Sequence, residues 1–382
     1  MRKRALGRFE LCTIDEEKSS EQIDYEERGR TYMENNQPVH KRRVRYKGTH
    51  PRNYNEKYKE LNPEKYGETI EKVIQKGGTP AGMHISIMVQ EILDFLQIQP
   101  GQRGLDATLG YGGHTSAMLK CLKGEGHLTA LDVDAIEMAK TEERLRNQGF
   151  GSDILTIRRI NFANIDEVAA QDGKFDFILA DLGVSSMQID NPERGFSYKY
   201  DGPLDLRLDQ TKGEPASERL KHVTRDEFEG MLVENSDEPY AAEIAAVVMQ
   251  ELKKGHPVDT TSKLRELIEK ALVRVPAAER KEAVKKSCAR TFQALRIDVN
   301  SEFEVLEAFL QKLPDVLNPG GRVAVLTFHS GEDRLVKKSF KENVKAGIYS
   351  DAAKDVIRPS AEECRRNSRA HSTKLRWAIR GF

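Results

Sequence analysis

Asp181 follows the apolar run Phe175-Asp-Phe-Ile-Leu-Ala180 and opens the segment Asp181-Leu-Gly-Val-Ser-Ser-Met-Gln188. An acid at the carboxyl end of a strand faces the crevice where open α/β sheets hold ligands, and there it can orient a substrate or take a proton. A turn or helix cap is the alternative role. The cluster Leu109-Gly-Tyr-Gly-Gly-His114 follows an earlier apolar run, and its glycines let backbone approach a ligand because no Cβ intervenes. Asp132 comes 19 residues after Gly113, at the end of the next apolar run, where a carboxylate can accept hydrogen bonds from ribose hydroxyls. That pairing suits a dinucleotide or S-adenosylmethionine.

Further along, His329 stands beside Glu332, Asp333 and Arg334 after an apolar strand. It is a general base, a nucleic-acid contact or a satisfied structural histidine. Asp205 and Arg207 fall in a loop where a substrate could enter, or they pair with each other. Arg290, Gln293 and Arg296, spaced i, i+3, i+6, face a substrate or brace neighbouring helices. No G-x-S-x-G elbow, P-loop or H-E-x-x-H occurs, so acyl transfer, phosphoryl transfer and zincin chemistry lack their usual support. Cys12, Cys121, Cys288 and Cys364 lie far apart with no C-x-x-C, which argues against a disulfide framework or zinc ribbon, and no metal cluster is evident.

These residues need a scaffold. Apolar runs at 103–107, 127–131, 154–157, 175–180 and 322–328 predict strands, and helical spacing predicts helices between them. Strands separated by helices at this rhythm imply a parallel sheet with right-handed crossovers, an α/β fold. From about 217 to 286 the pattern is almost wholly helical, which predicts an insertion on the sheet. The tail segment Leu375-Arg-Trp-Ala-Ile379 predicts a closing edge strand.

Six motifs in order carry a resemblance. They are Asp106-Ala-Thr-Leu-Gly-Tyr-Gly-Gly-His114, Asp181-Leu-Gly-Val-Ser-Ser186, Arg194-Gly-Phe-Ser197, Asp201-Gly-Pro-Leu-Asp-Leu-Arg207, Arg290-Thr-Phe-Gln-Ala-Leu-Arg-Ile297 and Thr327-Phe-His-Ser-Gly-Glu-Asp-Arg334. Together they closely resemble the MraW/RsmH family of S-adenosylmethionine-dependent methyltransferases, which act on the N4 amine of a cytidine in 16S ribosomal RNA. The resemblance covers about residues 84–382. It implies a Rossmann-like class I methyltransferase sheet at 81–210 and 288–382, with an all-helical lobe at 211–287 that recognises RNA. It also implies that Gly110, Gly112, Gly113 and His114 cradle the methionine end of the cofactor. Asp132 would hold the ribose, Phe162 would lie near the adenine, and Asp181 and Gln188 would complete the contacts. The implied partner is small-subunit ribosomal RNA or its assembling particle.

Composition agrees with a globular enzyme. Apolar residues make up 38% and charged residues 32% of 382, and no apolar stretch approaches the roughly 18 residues of a membrane helix. With 61 cationic against 61 anionic residues the chain is no polycation, so any RNA affinity must be local. Residues 1–80 predict a basic, flexible extension, within which 41–52 holds six cationic residues and no acidic one. That segment and the basic tail at 365–376 are the expected RNA-holding surfaces, alongside the helical lobe. A reducing, cytoplasmic setting follows from the cysteine pattern and the lack of an apolar leader. Three alternatives remain open: the same chemistry on transfer RNA, a protein substrate, or an RNA-binding factor without turnover.

Overall fold

Short apolar runs, most of them closed by an acid or a turn, form the strands of one seven-stranded sheet. The computed structural model describes residues 86–382, so the extension and its basic segment at 41–52 lie outside the described residues. The strands are β1 Arg103–Asp106, β2 His127–Asp132, β3 Leu155–Arg159, β4 Phe175–Asp181, β5 Leu317–Thr327, β6 Tyr349–Ala352 and β7 Lys374–Arg380. Their order across the sheet is β3-β2-β1-β4-β5-β7-β6. The first five run parallel, and β7 is antiparallel to both its neighbours. The order reverses between β1 and β4, so the loops after these two strands part and leave a crevice at their carboxyl ends. This is the Rossmann-like sheet that the motifs imply.

Two apolar layers clothe it. On one face α1 Val89–Leu96, α2 Gly113–Leu122 and α3 Ala135–Asn147 bury Ile92, Leu96, Met118, Leu119 and Leu145. On the other, α4 Ile165–Asp172, α11 Glu302–Val316 and α12 Ser330–Lys345 bury Ile165, Val168, Phe309, Leu313, Val336 and Phe340. After the short α5 Ser186–Asp190 come five helices: α6 Ala216–His222, α7 Arg225–Ser236, α8 Ala241–Lys253, α9 Thr261–Ala271 and α10 Ala277–Asn300. They share a third core around Phe228, Leu232, Ile244, Val248, Ile268 and Phe292. A last helix, α13, spans Ala361–Arg366. Among the described residues no helix is long and apolar enough to cross a membrane.

Two elements differ from the sequence expectation. Helix α10 does not stop near Lys286 but runs unbroken to Asn300, because Ser287, Cys288, Thr291, Phe292 and Leu295 continue its buried face. Small polar residues at buried positions hide that periodicity. Strand β7 is not the edge, since β6 pairs along its outer side. Within β6 only Tyr349 is buried, so Tyr-Ser-Asp-Ala carries no apolar run to announce a strand.

Gly104 on β1 and Phe177 on β4 are register partners, and a Cβ added at Gly104 would lie 2.1 Å from the Phe177 ring. The ring fills the space that the glycine leaves. Gly104→Ala and Phe177→Leu should therefore each destabilise the protein, by about 1–3 kcal/mol from overpacking and lost burial. Their double variant should cost clearly less than the sum, read by urea denaturation as a double-mutant cycle. Strict additivity would show that the two do not share that space.

Candidate functional site

Chain geometry at the switch point builds the site. The loop from β1 into α2 and the carboxyl ends of β2 and β4 wall one side of a cavity of about 660 Å³. The loop after α5 and helix α10 wall the other, with Phe196, Tyr198 and Phe292 supplying aromatic surface. Gly112 takes φ +71°, and a Cβ there would meet Thr141 at 2.8 Å and crowd Leu145. A glycine at this position lets the loop lie against α3. The Gly110 N–H donates to Asp132 Oδ2 at 2.9 Å, while the Thr141 hydroxyl donates to the Gly110 carbonyl at 2.7 Å.

Asp132 accepts a second bond at Oδ1 from the Asp134 N–H, at 2.9 Å. Burial outweighs these backbone donors and pushes its carboxyl up to about 6. Asp106, fully enclosed, accepts from the Thr108 N–H at 3.1 Å and the Thr115 hydroxyl at 2.6 Å. Burial still raises its carboxyl. Thr108 Oγ1 in turn accepts the Asp181 N–H at 2.7 Å, tying the glycine loop to the end of β4.

His114 and Asp181 form the most exacting part of the wall. The His114 Nε2 lies 2.9 Å from the Ile87 carbonyl, which can only accept, so that nitrogen carries a hydrogen. Its Nδ1 lies 3.4 Å from Asp181 Oδ2. Burial works to lower the imidazole, yet Asp181 overcomes it and holds the ring above its ordinary value. The other oxygen, Asp181 Oδ1, is buried on the cavity wall without a hydrogen-bond partner among the described residues. A carboxylate oxygen left so in a closed site is costly unless a ligand donates to it.

Of the residues expected from sequence, the cavity wall brings together Gly110, Gly113, His114, Asp132, Phe162, Asp181, Gln188, Gln293, Arg296 and His329. Phe162 stands edge-on to Phe309, 5.2 Å between ring centres. Gln188 accepts from the Ser185 N–H and donates to Asp134 Oδ2, each at 2.9 Å, so its amide is fixed. Gln293 donates to the Asn235 carbonyl at 3.1 Å, and Arg296 grips both oxygens of Glu302 at 2.7 and 2.8 Å. Both brace helices while lining the cavity.

Four residues lie off the wall. Gly112 packs behind the loop. Asp205 and Arg207 hold each other through two bonds of 2.8 Å, the internal pair that was one of their two readings. Arg207 keeps the Asp205 carboxyl low although burial works to raise it. Arg290 is half-buried, and among the described residues it has no hydrogen-bond or ion-pair partner from its side chain.

His329 lies 3.1 Å from Glu332 Oε1 but off the line of a hydrogen bond, and neither ring nitrogen is hydrogen-bonded among the described residues. Burial works to raise Glu332, but His329 and the Phe328 N–H outweigh it and hold the carboxyl low. Glu302, His329 and Glu332 offer ligand atoms within 4.8 Å of one another. Arg296 already occupies Glu302, and its positive charge opposes a cation there.

The basic tail fares differently from its expectation. Arg366 pairs with Glu362, Arg369 with Asp190, and Lys374 and Arg376 with Asp333. Most of its charge is paired with carboxylates of the same chain, Arg366 on the surface and Arg376 enclosed. What the sequence reading missed is Asp134, whose Oδ2 accepts from Arg194 at 2.6 Å as well as from Gln188. Arg194 also donates to the Arg207 and Leu208 carbonyls at 3.1 and 2.9 Å. The signal was present in the Arg194-Gly-Phe-Ser197 motif, which carried no assigned role. Cys288 is buried with its thiol pushed up to about 12, and none of Cys121, Cys288 and Cys364 lines the cavity.

Comparison with known proteins identifies the family. The MraW methylase family model matches residues 81–380. A Lachnoclostridium phytofermentans protein, Ribosomal RNA small subunit methyltransferase H 1, is 70% identical over 347 residues, spanning 91% of this chain and 95% of its own. Ribosomal RNA small subunit methyltransferase H 2 of Alkaliphilus metalliredigens is 60% identical, spanning 91% of this chain and all of its own. Both alignments cover more of the chain than residues 81–382 provide, so they reach into the amino-terminal extension. A Nitratidesulfovibrio vulgaris protein, Ribosomal RNA small subunit methyltransferase H, is 37% identical over 81% of this chain and 88% of its own. Matched from the glycine loop to the last strand, this chain belongs to the MraW methylase family.

Proposed function

We propose that this enzyme transfers a methyl group from S-adenosylmethionine to the N4 amine of a cytidine in small-subunit ribosomal RNA, in the cytoplasm. The observation that carries the reading is the partnerless, buried Asp181 Oδ1, set between the glycine loop and the aromatic wall of a cavity large enough for a cofactor and a base. The names of the relatives supply the RNA.

The residues present suit the cofactor. Gly110, Gly113 and His114 would take its methionine end, with Gly112 allowing that loop its path. Asp132 would take the ribose hydroxyls, Phe162 would flank the adenine, and Gln188 would close the loop over it. When bound, S-adenosylmethionine supplies an electrophilic methyl group. The chain must do the rest. A cytosine amine is a poor nucleophile because its lone pair is delocalised into the ring, so the protein has to hold it in line and relieve the positive charge that develops on nitrogen. Asp181 Oδ1 can accept an amine N–H, orienting the nitrogen and receiving its proton. His114 keeps the other oxygen in place. His329 lines the same cavity, and its Nδ1, with no hydrogen-bond partner among the described residues while Nε2 faces Glu332, is the second acceptor. Tyr198 and Phe292, 5.9 Å apart, offer ring surface for a base drawn out of its stack. The helical lobe formed by α6 to α10 would hold the surrounding RNA. Carbon methylation of the pyrimidine would call for a cysteine nucleophile, and the described cysteines lie off the cavity wall.

Two outcomes test this. Purified enzyme, cofactor and small-subunit RNA from cells lacking the protein should yield N4-methylcytidine by nucleoside mass spectrometry, and Asp181→Asn should lower kcat by about 10²–10⁴-fold. Methyl transfer to transfer RNA or to protein alone would move the substrate. Absence of transfer to all three would sink the enzymatic reading.

Asp132 adds a pH signature. Its carboxyl, raised to about 6, must be ionised to accept two hydroxyl hydrogen bonds. Affinity for S-adenosylhomocysteine should be level at pH 7–8 and weaken as pH falls through about 6. Asp132→Asn should weaken binding roughly 10–100-fold, the loss of charge-assisted hydrogen bonds, and erase that inflection. Calorimetric titration across pH 5–8 reads both. The stability effect has the opposite sense. A carboxyl raised by burial contributes its full share below the unfolded value near 4, and that share is lost as pH rises through 6.

A further inference from the structure

Glu251, near the end of α8, is nearly buried and gathers more positive charge than it can neutralise. His256 Nδ1 lies 2.7 Å from its Oε1, and the ammonium groups of Lys263, Lys254 and Lys270 lie at 3.7, 3.8 and 3.9 Å. Three ammoniums around one carboxylate leave a compact surplus of positive charge. Among the described residues only His256 makes a side-chain hydrogen bond to Glu251, and the ammoniums of Lys254, Lys263 and Lys270 donate none, which leaves donors available to a ligand. Lys254 and Lys270 are about half exposed.

Helix capping accounts for part of this. Lys254 sits at the carboxyl end of α8, where the helix dipole favours a cation. Lys263 is different, because it lies in the first turn of α9, where the dipole disfavours one. Lys270 arrives from the far end of that helix.

Local contacts carry the cluster to the cavity. Immediately before Lys263, the Thr261 hydroxyl donates to the Tyr200 carbonyl at 2.8 Å and the Ser262 N–H donates to Asp201 Oδ1 at 3.3 Å. Thr260 also bridges to Pro203. The strand of loop so held continues into Lys199 and Tyr198, both on the cavity wall. Lys199 is exposed, with no side-chain partner among the described residues, and Tyr200 is 42% exposed.

We propose that Lys254, Lys263 and Lys270, with Lys199 on the cavity wall, hold the phosphates of the RNA strand flanking the target nucleotide. The proposal rests on the RNA reading above and assigns it a surface. Ammoniums gathered around one carboxylate suit a strand whose every nucleotide offers a negative charge.

The test replaces Lys254, Lys263 and Lys270 together with Gln in the full-length enzyme. With small-subunit RNA, KM should rise about tenfold at low salt, while kcat and S-adenosylhomocysteine affinity stay at wild-type values. The slope of log K against log salt should fall by about 2, at roughly 0.7 per phosphate for three contacts. Glu251→Gln adds net positive charge and should tighten RNA binding, a gain that an ion-pair network serving only the fold would not give. Wild-type KM and salt slope in a triple variant of unchanged Tm would overturn the proposal, as would weaker RNA binding by a folded Glu251→Gln. If the wild-type enzyme binds RNA with a slope that the triple variant flattens, yet methylates none, the surface stands and the enzymatic reading fails.

Discussion

Asp134 and Arg194 form the contact on which the site depends. Their ion pair at 2.6 Å is almost wholly buried, with 3% and 6% of the side chains exposed. Asp134 also caps α3 by accepting from the Ile136 and Glu137 N–H groups, so one carboxylate terminates the loop that carries Asp132. Arg194 extends from the other wall and donates to the carbonyls of 207 and 208. The two walls of the cavity therefore meet through one guanidinium. Removing either partner would strand a buried charge, at a cost of about 3–5 kcal/mol, whereas the intact pair adds little net stability. Its value is positional, since it fixes the distance between the loop that carries Asp132 and the loop entering the helical lobe.

That constraint explains why the cavity is preformed although its walls come from separate apolar cores. The glycine loop rests on the sheet-and-helix core around Met118, Leu119 and Leu145. The opposing aromatic wall belongs to the core of the five-helix lobe, with Phe196, Phe292 and Leu295. Packing within each core sets its own side chains but says nothing of the gap between them. Polar bridges set the gap. Gln188 reaches Asp134, Asn300 donates to the Leu206 carbonyl, and Arg296 joins the end of α10 to the start of α11.

How much of this the chain discloses depends on the kind of force at each position. Strands β1, β2 and β4 were legible because both faces of the sheet are covered, which makes their residues a near-continuous apolar run. Strand β6 was not, since it exists by pairing with β7 and has one buried side chain. The crevice acids Asp132 and Asp181 were legible from their place at strand ends. Asp205 and Arg207, two residues apart with opposite charge, permitted two readings that only geometry separates. The Asp134–Arg194 pair spans 60 positions; the motif at Arg194 marks one end of it, but nothing local names the partner at that separation.

The placement of positive charge follows a division of labour between its two carriers. Arg194, Arg207, Arg296 and Arg376 each pair with a carboxylate, and all are enclosed or nearly so. A planar guanidinium holds several acceptors in fixed directions, which suits it to joining elements. Around Glu251 the cations are instead lysines, whose compact ammoniums swing on flexible stems. Such groups adapt to a backbone whose phosphates do not occupy fixed points. In a chain whose charges sum to zero, pairing of these enclosed arginines with carboxylates leaves the three lysines around Glu251 as a local surplus. A chain neutral overall can thus present positive charge at a defined place.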